Sequence, residues 1–299
     1  MITLNDVKLT QNHFPDGSLM MLDFPALEVV EDNRVVWFYE NDSELFTLYC
    51  VVRHIRNIKP DAKISLSLPY IPHARMDRTK HDSEVFTLKY FAEVINSLNF
   101  QTVTVLDPHS NVSTALLNNV RVESVEPYIK EAIDDVEGVF IDGGEKFGGS
   151  TVIYFPDEGA MKRYKDLKVF GNRPMIYGKK DRDWATGQIK GLKICDRDGI
   201  ELTSLKEYEK NGFITVLMID DIVAYGGTLA YSGAKLKELG ATEVYAYATH
   251  TENSVLNEER GTLLKKLVDG TVGELYTTDS IYTGNDSRIT VVLNKRNDE

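Results

Sequence analysis

The sequence predicts an α/β protein of two similar domains, each with a parallel sheet flanked by helices, and three observations carry that prediction. Short apolar runs alternate with stretches whose apolar residues recur every three or four positions, as in parallel strands joined by helices. One run, Val216 to Ile219, passes into Asp220-Asp221 and a Gly226-Gly227-Thr228 turn. It then continues through Leu229, Gly233, Leu236 and Leu239 at helical spacing. The 299 residues are also enough for two ordinary domains.

The elements follow in order. Val35 to Tyr39 reads as a strand, and Asn41-Asp42-Ser43 offers a cap for a helix carrying Leu45, Leu48, Val52 and Ile55. Ile64 to Leu68 is the next strand. Ser83 offers the cap of a helix carrying Leu88, Phe91, Ile95 and Leu98, and Val103 to Leu106 is the strand after it. A second set begins near Gly138, with strands expected at Val152 to Phe155, Lys168 to Phe170, Met175 to Tyr177, Val216 to Ile219 and Val244 to Ala248. Gly240 is the expected stop of the helix that follows the glycine turn. The boundary is placed near residue 130, giving domains 1–130 and 131–299. Their likeness is inferred from element order alone.

Composition narrows the classes. A hydrophobic share of 42% and a charged share of 27% are those of a soluble globular protein. A net charge of −12 argues against broad nucleic-acid binding. No apolar run approaches the roughly 20 residues of a membrane helix, and MITLNDVKLTQ lacks the basic and apolar regions of a signal peptide. Cys50 and Cys195 stand far apart in apolar surroundings, so reduced thiols and a cytoplasmic setting are expected.

The chemistry concentrates where strands end. A glycine turn opening a helix presents backbone N–H groups to an anion, so residues 224–228 (Ala224, Tyr225, Gly226, Gly227, Thr228) form a natural phosphate cradle. Asp220 and Asp221 stand where they can take sugar hydroxyls beside it. By itself an Asp-Asp pair and a glycine turn mean little; apolar strand, paired acids, glycine turn and helix in that order are far more specific.

Five further stretches share this placement. Phe14-Pro15-Asp16-Gly17-Ser18 is, in isolation, only a turn. Pro69 to Arg78 contains Arg75, Met76, Asp77 and Arg78, and arginines on a strand-exit loop suit a polyphosphate. Asp107-Pro108-His109-Ser110 sets a histidine beside an acid at a strand end, a pair able to bind metal or phosphate, although a lone histidine is more often structural. Pro156 to Arg163 offers Asp157 and Glu158 to Mg²⁺ at a helix start. Lys179-Lys180-Asp181-Arg182 can balance phosphoryl charge, although such a run is usually solvated surface.

The 216–228 stretch resembles the ribose-phosphate motif of type I phosphoribosyltransferases and of ribose-phosphate pyrophosphokinases (PRPP synthetases). The remaining stretches decide between them. In order along the chain they resemble the ribose-phosphate pyrophosphokinase family over nearly its whole length. Phe14 to Ser18 is similar to its Phe-Ser-Asp/Asn-Gly-Glu segment, and Pro69 to Arg78 to its Pro-Tyr-x-x-Tyr-Ala-Arg-Gln-Asp-Arg loop. Asp107 to His109 is similar to its Asp-Leu-His. Asp157 stands in a version of Pro-Asp-x-Gly-Gly, Lys180 and Arg182 match the Lys-x-Arg of its mobile catalytic loop, and Thr249-His250 matches its Thr-His.

The resemblance implies a type I phosphoribosyltransferase-like fold and transfer of the β,γ-pyrophosphoryl group of ATP to the anomeric hydroxyl of a ribose-phosphate, with AMP leaving. By the same carry-over, Phe14 stacks on adenine with Asp16, Gly17 and Ser18 nearby. Arg75, Met76 and Asp77 border the ATP phosphates. His109 and Asp157 organise Mg²⁺, His109 counting also as catalytic, and Lys180 and Arg182 stabilise the transition state. Asp220 and Asp221 take the ribose hydroxyls, and residues 224–228 the 5-phosphate. The resemblance also implies a homo-oligomer built from dimers, up to a hexamer, with the adenine site completed near a subunit interface.

Four departures stand out. Ser18 replaces Glu, Met76 replaces Gln, and Ala160 replaces the second Gly after Asp157. The phosphate loop reads Ala224-Tyr225-Gly226-Gly227-Thr228 where the family has Asp-Thr-Gly/Ala/Cys-Gly-Thr. Tyr225 cannot place its hydroxyl as a Thr would, and it adds a ring at the pocket's edge. Three explanations compete: drift in an enzyme of ribose 5-phosphate, a changed acceptor, or a non-catalytic regulatory homologue. The changed acceptor is the working expectation, with ADP-ribose as candidate, because its second phosphate and adenosine would leave past residue 225. Phage-type relatives of this family are associated with rebuilding NAD through pyrophosphorylated ADP-ribose. The retained His109, Lys180, Arg182, Asp220 and Asp221 weigh against a dead homologue.

Overall fold

The computed structural model of the chain describes residues 1–138, 151–182 and 189–293, apart from the side chains of 180–182 and 189–190. The chain divides into two compact units, 1–124 and 125–298.

The first unit is a six-stranded sheet in the order β2-β1-β5-β6-β7-β8 and a separate hairpin of β3 and β4. Its strands are β1 (Ile2–Leu4), β2 (Val7–Lys8), β3 (Asn12–His13), β4 (Leu19–Met20), β5 (Asp32–Trp37), β6 (Lys63–Leu68), β7 (Thr102–Leu106) and β8 (Val120–Glu123). Strands β5 to β8 run parallel, and β1 pairs antiparallel with both β2 and β5. Helices α1 (Ser43–Ile58), α2 (Thr87–Ser97) and α3 (Asn111–Leu116) supply the connections. In β6, Ile64, Leu66 and Leu68 are buried in alternation with less buried residues, the period of a pleated strand. Leu48, Val52 and Ile55 of α1 and Leu88, Phe91 and Ile95 of α2 join Ile64, Leu66 and Val103 in one apolar core.

The second unit opens with α4 (Glu126–Gly138) and contains β9 (Val152–Phe155), α5 (Glu158–Tyr164), β10 (Met175–Arg182), β11 (Ile189–Cys195), β12 (Thr215–Val223), α6 (Gly227–Glu238), β13 (Glu243–Thr251), α7 (Thr262–Val268), β14 (Leu275–Thr277) and β15 (Ile289–Val291). Its seven strands lie in the order β11-β10-β9-β12-β13-β14-β15. All neighbours are parallel except β10 and β11. Every residue of β9, and Val216 to Ile219 of β12, is buried, as expected of central parallel strands covered on both faces.

This order marks the position where such sheets usually take a ligand. From β9 the chain crosses to β10 on one side, while β12 and β13 lie on the other. The crevice at the carboxyl ends of β9 and β12 is therefore a topological switch point, the usual ligand position in such sheets. Helix α6 ends as its sequence predicts. Gly240 takes φ +104°, its N–H reaches the Lys237 carbonyl at 3.0 Å, and Ala241 N–H reaches Leu236 at 3.0 Å, a Schellman closure.

Three local expectations are corrected. Lys168–Phe170 is a single 3-10 turn, with Phe170 buried edge-on to Phe155 at 5.9 Å. Helix α2 starts at Thr87, with Phe86 and not Ser83 in the capping position. The Lys180–Arg182 segment, expected as a loop, is part of β10 and pairs with β11, with a register shift between Asp181 and Arg182. Among the described residues no helix is long and apolar enough to cross a membrane, and both cysteines are free.

Gly233 marks the closest approach of α6 to its neighbours. A Cβ there would lie 2.8 Å from a Val272 methyl and 3.7 Å from Met218. Gly233→Leu should therefore cost about 1–3 kcal/mol through overpacking. A lowered urea midpoint with an unchanged slope is the expected result; an unchanged midpoint would refute this packing.

Candidate active site

The crevice of the second unit is built from two strand ends and a turn. Strand β9 delivers Asp157, β12 delivers Asp220 and Asp221, and the turn after β12 delivers residues 224–228. The Asp157 side chain caps α5, its Oδ1 accepting from Gly159 N and Ala160 N at 3.0 Å each. Because the backbone of Ala160 provides the bond, alanine serves there as well as glycine. Gly159 is the tighter position, where a Cβ would come within 3.1 Å of Asp157 Oδ1.

Asp220 and Asp221 act as a coupled pair. Asp221 N donates to Asp220 Oδ1 at 3.0 Å. Burial first, and then the adjoining Asp221 carboxyl, push the Asp220 carboxyl well above the usual carboxylate range. Asp157 adds in the same direction. Asp221 has a cation: Arg163 Nη1 lies 2.7 Å from its Oδ2, and both side chains are largely buried. Arg163 is the last residue of the Pro156 to Arg163 stretch, and no local spacing marks it. Its place on the last turn of α5, facing β12, emerges only once β9 and β12 are adjacent.

The turn beyond has a backbone shaped to receive an anion. Gly226 adopts φ +77°, and a Cβ there would stand 2.2 Å from Leu263 Cβ, so conformation and contact both exclude other residues. The Tyr225 carbonyl accepts from Thr262 N at 2.9 Å, Leu263 N at 3.2 Å and Thr262 Oγ1 at 2.9 Å. The loop is thereby fastened to the first turn of α7. The amides of residues 225–228 make no hydrogen bond among the described residues, and Gly227 and Thr228 are exposed. Successive free donors at the mouth of a twelve-residue helix make an anion site. At its rim the Arg260 guanidinium lies over the Tyr225 ring, 4.3 Å from its centroid.

At the end of β13, Thr249 and His250 are buried in a polar knot. His250 Nδ1 pairs with Ser280 Oγ at 2.8 Å, and Thr278 Oγ1 donates to the Thr249 carbonyl at 2.6 Å. These residues support the strand end that borders the crevice.

In the first unit the expected residues also gather at strand ends. Phe14 to Ser18 tip the β3–β4 hairpin, closed by Phe14 N to Ser18 O at 2.9 Å and Gly17 N to Phe14 O at 2.8 Å, with Gly17 at φ +82°. Asp16 Oδ1 accepts from Ser18 Oγ at 2.6 Å and Ser18 N at 2.9 Å, and these bonds hold its carboxyl below the usual range. Phe14 is left 51% exposed, an apolar ring held on a rigid turn. The loops after β6 and β7 meet at Asp77. This buried carboxylate is held below its ordinary range by Arg78, bonded at 2.7 and 3.0 Å, against the opposing effect of burial. The Ser110 hydroxyl and His109 act with Arg78. Arg75 and Met76 are exposed on the same loop.

The backbones of Lys180 and Arg182 lie on β10, and their side chains lie outside the described residues. Among the described residues no three His, Cys, Asp or Glu side chains form a group able to hold a metal ion.

The parallel sheet, the acid pair at a strand end and the glycine turn after it together make a type I phosphoribosyltransferase-like fold. No protein-family model matches the chain. It is 27% identical over 254 residues to the ribose-phosphate pyrophosphokinase of Saccharolobus solfataricus, covering 82% of this chain and 76% of that one. It is 25% identical over 299 residues to the ribose-phosphate pyrophosphokinase of Sulfurisphaera tokodaii, covering 98% and 90%. The crystal structure of phosphoribosylpyrophosphate synthetase from Mycobacterium smegmatis superposes with a TM-score of 0.74 over 96% of this chain and 87% of that chain, at 16% identity, a likeness of fold. Over most of its length the chain is thus similar to enzymes named ribose-phosphate pyrophosphokinase.

The raised Asp220 carboxyl has a consequence for stability. Between its unfolded and folded titrations the folded state holds the extra proton, so stability falls as pH rises through that window. Asp220→Asn should raise the melting temperature at pH 7.5, with the gain shrinking toward pH 4, while weakening turnover. A gain independent of pH, or a loss at pH 7.5, would contradict the buried-pair account.

Proposed function

We propose that the chain transfers the β,γ-pyrophosphoryl group of ATP to the anomeric hydroxyl of a 5-phosphoribosyl acceptor, releasing AMP. The observation that carries this reading is the coupled Asp220–Asp221 pair at the switch point, one turn away from a cradle of free amides. Sugar hydroxyls pair with the acids while a phosphate rests on residues 224–228. The anomeric oxygen attacks the β-phosphorus, the bond from that phosphorus to the α-phosphate oxygen breaks, and AMP leaves with its electrons. The anomeric proton passes to solvent or a nearby base.

Phe14, Asp16, Gly17 and Ser18, with Arg75 and Met76, are proposed to bind ATP. Asp77 positions that loop through Arg78, Ser110 and His109. Lys180 and Arg182 are proposed to stabilise the charge that develops on the transferred group. Mg²⁺ suits this donor set, since it binds through one or two carboxylates and the substrate's phosphates rather than through a complete protein cage. Asp157, with one oxygen committed to α5, would supply one such carboxylate, and His109 is proposed to order the metal–nucleotide. The ion would neutralise phosphate charge. A homo-oligomer in a cytoplasmic setting remains part of the proposal.

For the acceptor we propose ADP-ribose, giving ADP-ribose 1-pyrophosphate, a compound of NAD metabolism. Tyr225 supports this: where the family carries a threonine hydroxyl for a terminal phosphate, this chain carries a half-buried ring at the cradle's rim. Ribose 5-phosphate is the second reading, favoured by the relatives, which are named ribose-phosphate pyrophosphokinases.

Two variants test the assignment. Lys180→Ala should reduce kcat by about 2–4 kcal/mol, the size of one preorganised transition-state contact, with little change in ATP affinity. Unchanged kcat would remove Lys180 from the chemistry. Tyr225→Thr should shift the ratio of kcat/KM values toward ribose 5-phosphate; a constant ratio would end the selectivity role of residue 225.

A further inference from the structure

We infer that Arg260 is a specificity-determining residue that takes a second phosphate, one bonded beyond the acceptor's 5-phosphate. The inference rests on the reading of residues 224–228 as the 5-phosphate cradle.

Arg260 is held in place by its neighbours. Asn257 Oδ1 accepts from Glu259 N at 3.1 Å and Arg260 N at 2.8 Å, which bends the chain into a tight turn. Gly261 closes it: its N–H reaches the Asn257 carbonyl at 2.7 Å, and a Cβ there would strike two backbone oxygens at 2.4 and 2.5 Å. The next residue, Thr262, donates twice to the Tyr225 carbonyl. Arg260 is thus tied to the phosphate loop through two rigid links.

Its guanidinium has one described contact, the Tyr225 ring at 4.3 Å, and no carboxylate pairs with it among the described residues. The side chain is exposed. A ring stack fixes the plane of a guanidinium while leaving its edge N–H donors open, and that edge suits phosphate oxygens. The cradle's amides supply donors for one phosphate. Arg260, over the Tyr225 ring, supplies charge for the next. A ribose 5-monophosphate ends at the cradle, whereas a ribose 5-diphosphate ester continues past residue 225 to Arg260. Tyr225 acts here as a positioning residue for the guanidinium.

The test compares KM for ADP-ribose and ribose 5-phosphate in the wild type, Arg260→Ala and Arg260→Lys, with AMP release as the readout. Calorimetric titration of ADP-ribose measures binding without turnover. The expected result is that Arg260→Ala raises KM for ADP-ribose about tenfold more than KM for ribose 5-phosphate. The loss should fall on KM more than on kcat, and Arg260→Lys should recover part of it. Equal increases for both acceptors would make Arg260 a contact of the first phosphate and overturn the inference. No change for either would leave it a surface residue and overturn it as well. Absence of AMP release by the wild type with both acceptors, with ADP-ribose still bound and weakened by Arg260→Ala, would break the proposed reaction while sustaining the subsite.

Discussion

The carbonyl of Tyr225 is the point on which the second unit's chemistry depends. Three donors from the first turn of α7 converge on it, and they hold the β12–α6 turn in a shape that only Gly226 permits. With that carbonyl anchored to α7, the amides of residues 225–228 remain for a ligand. The arrangement separates two tasks. One backbone oxygen and one glycine hold the loop, and the adjoining amides stay available. The side chain at 225 takes no part in holding the loop, so the backbone shape does not depend on the tyrosine ring.

Charge is distributed to match. Burial and the Asp221 carboxyl push the Asp220 carboxyl above the usual carboxylate range, while Asp221 is matched by Arg163. The strand end therefore carries two adjoining carboxyls with one cation, Arg163, close to the second of them. This is an expected cost of a functional site, where groups are placed for chemistry rather than stability. In the first unit the same economy appears in Asp77, which binds two loops together and leaves Arg75 and Met76 at the surface.

The sequence was most legible where burial is complete. The cores of β9 and β12 appear as apolar runs because both faces are covered, and the glycine turn after β12 is visible because its backbone admits few alternatives. Short pieces were not legible. Strands β14 and β15 have three residues each, too few to show a period, and Lys168–Phe170 mimics a strand because Phe170 is buried by a turn. The Lys180–Arg182 segment reads as a charged loop because β10 and β11 carry several lysines, which masks strand alternation. Arg163 and Arg260 were missed for a different reason. Each acquires its partner from an element distant in sequence, Asp221 on β12 and Tyr225 after it, and no local spacing encodes such a contact.

The central claim is transfer of a pyrophosphoryl group to a sugar, and label tracing tests it most directly. Mg·ATP carrying ³²P at the β position would be incubated with ADP-ribose or ribose 5-phosphate, and the products separated and weighed by mass spectrometry. The account predicts unlabelled AMP and a labelled sugar product heavier by one pyrophosphoryl group. Label retained in ADP, or no transfer to either sugar, would contradict it.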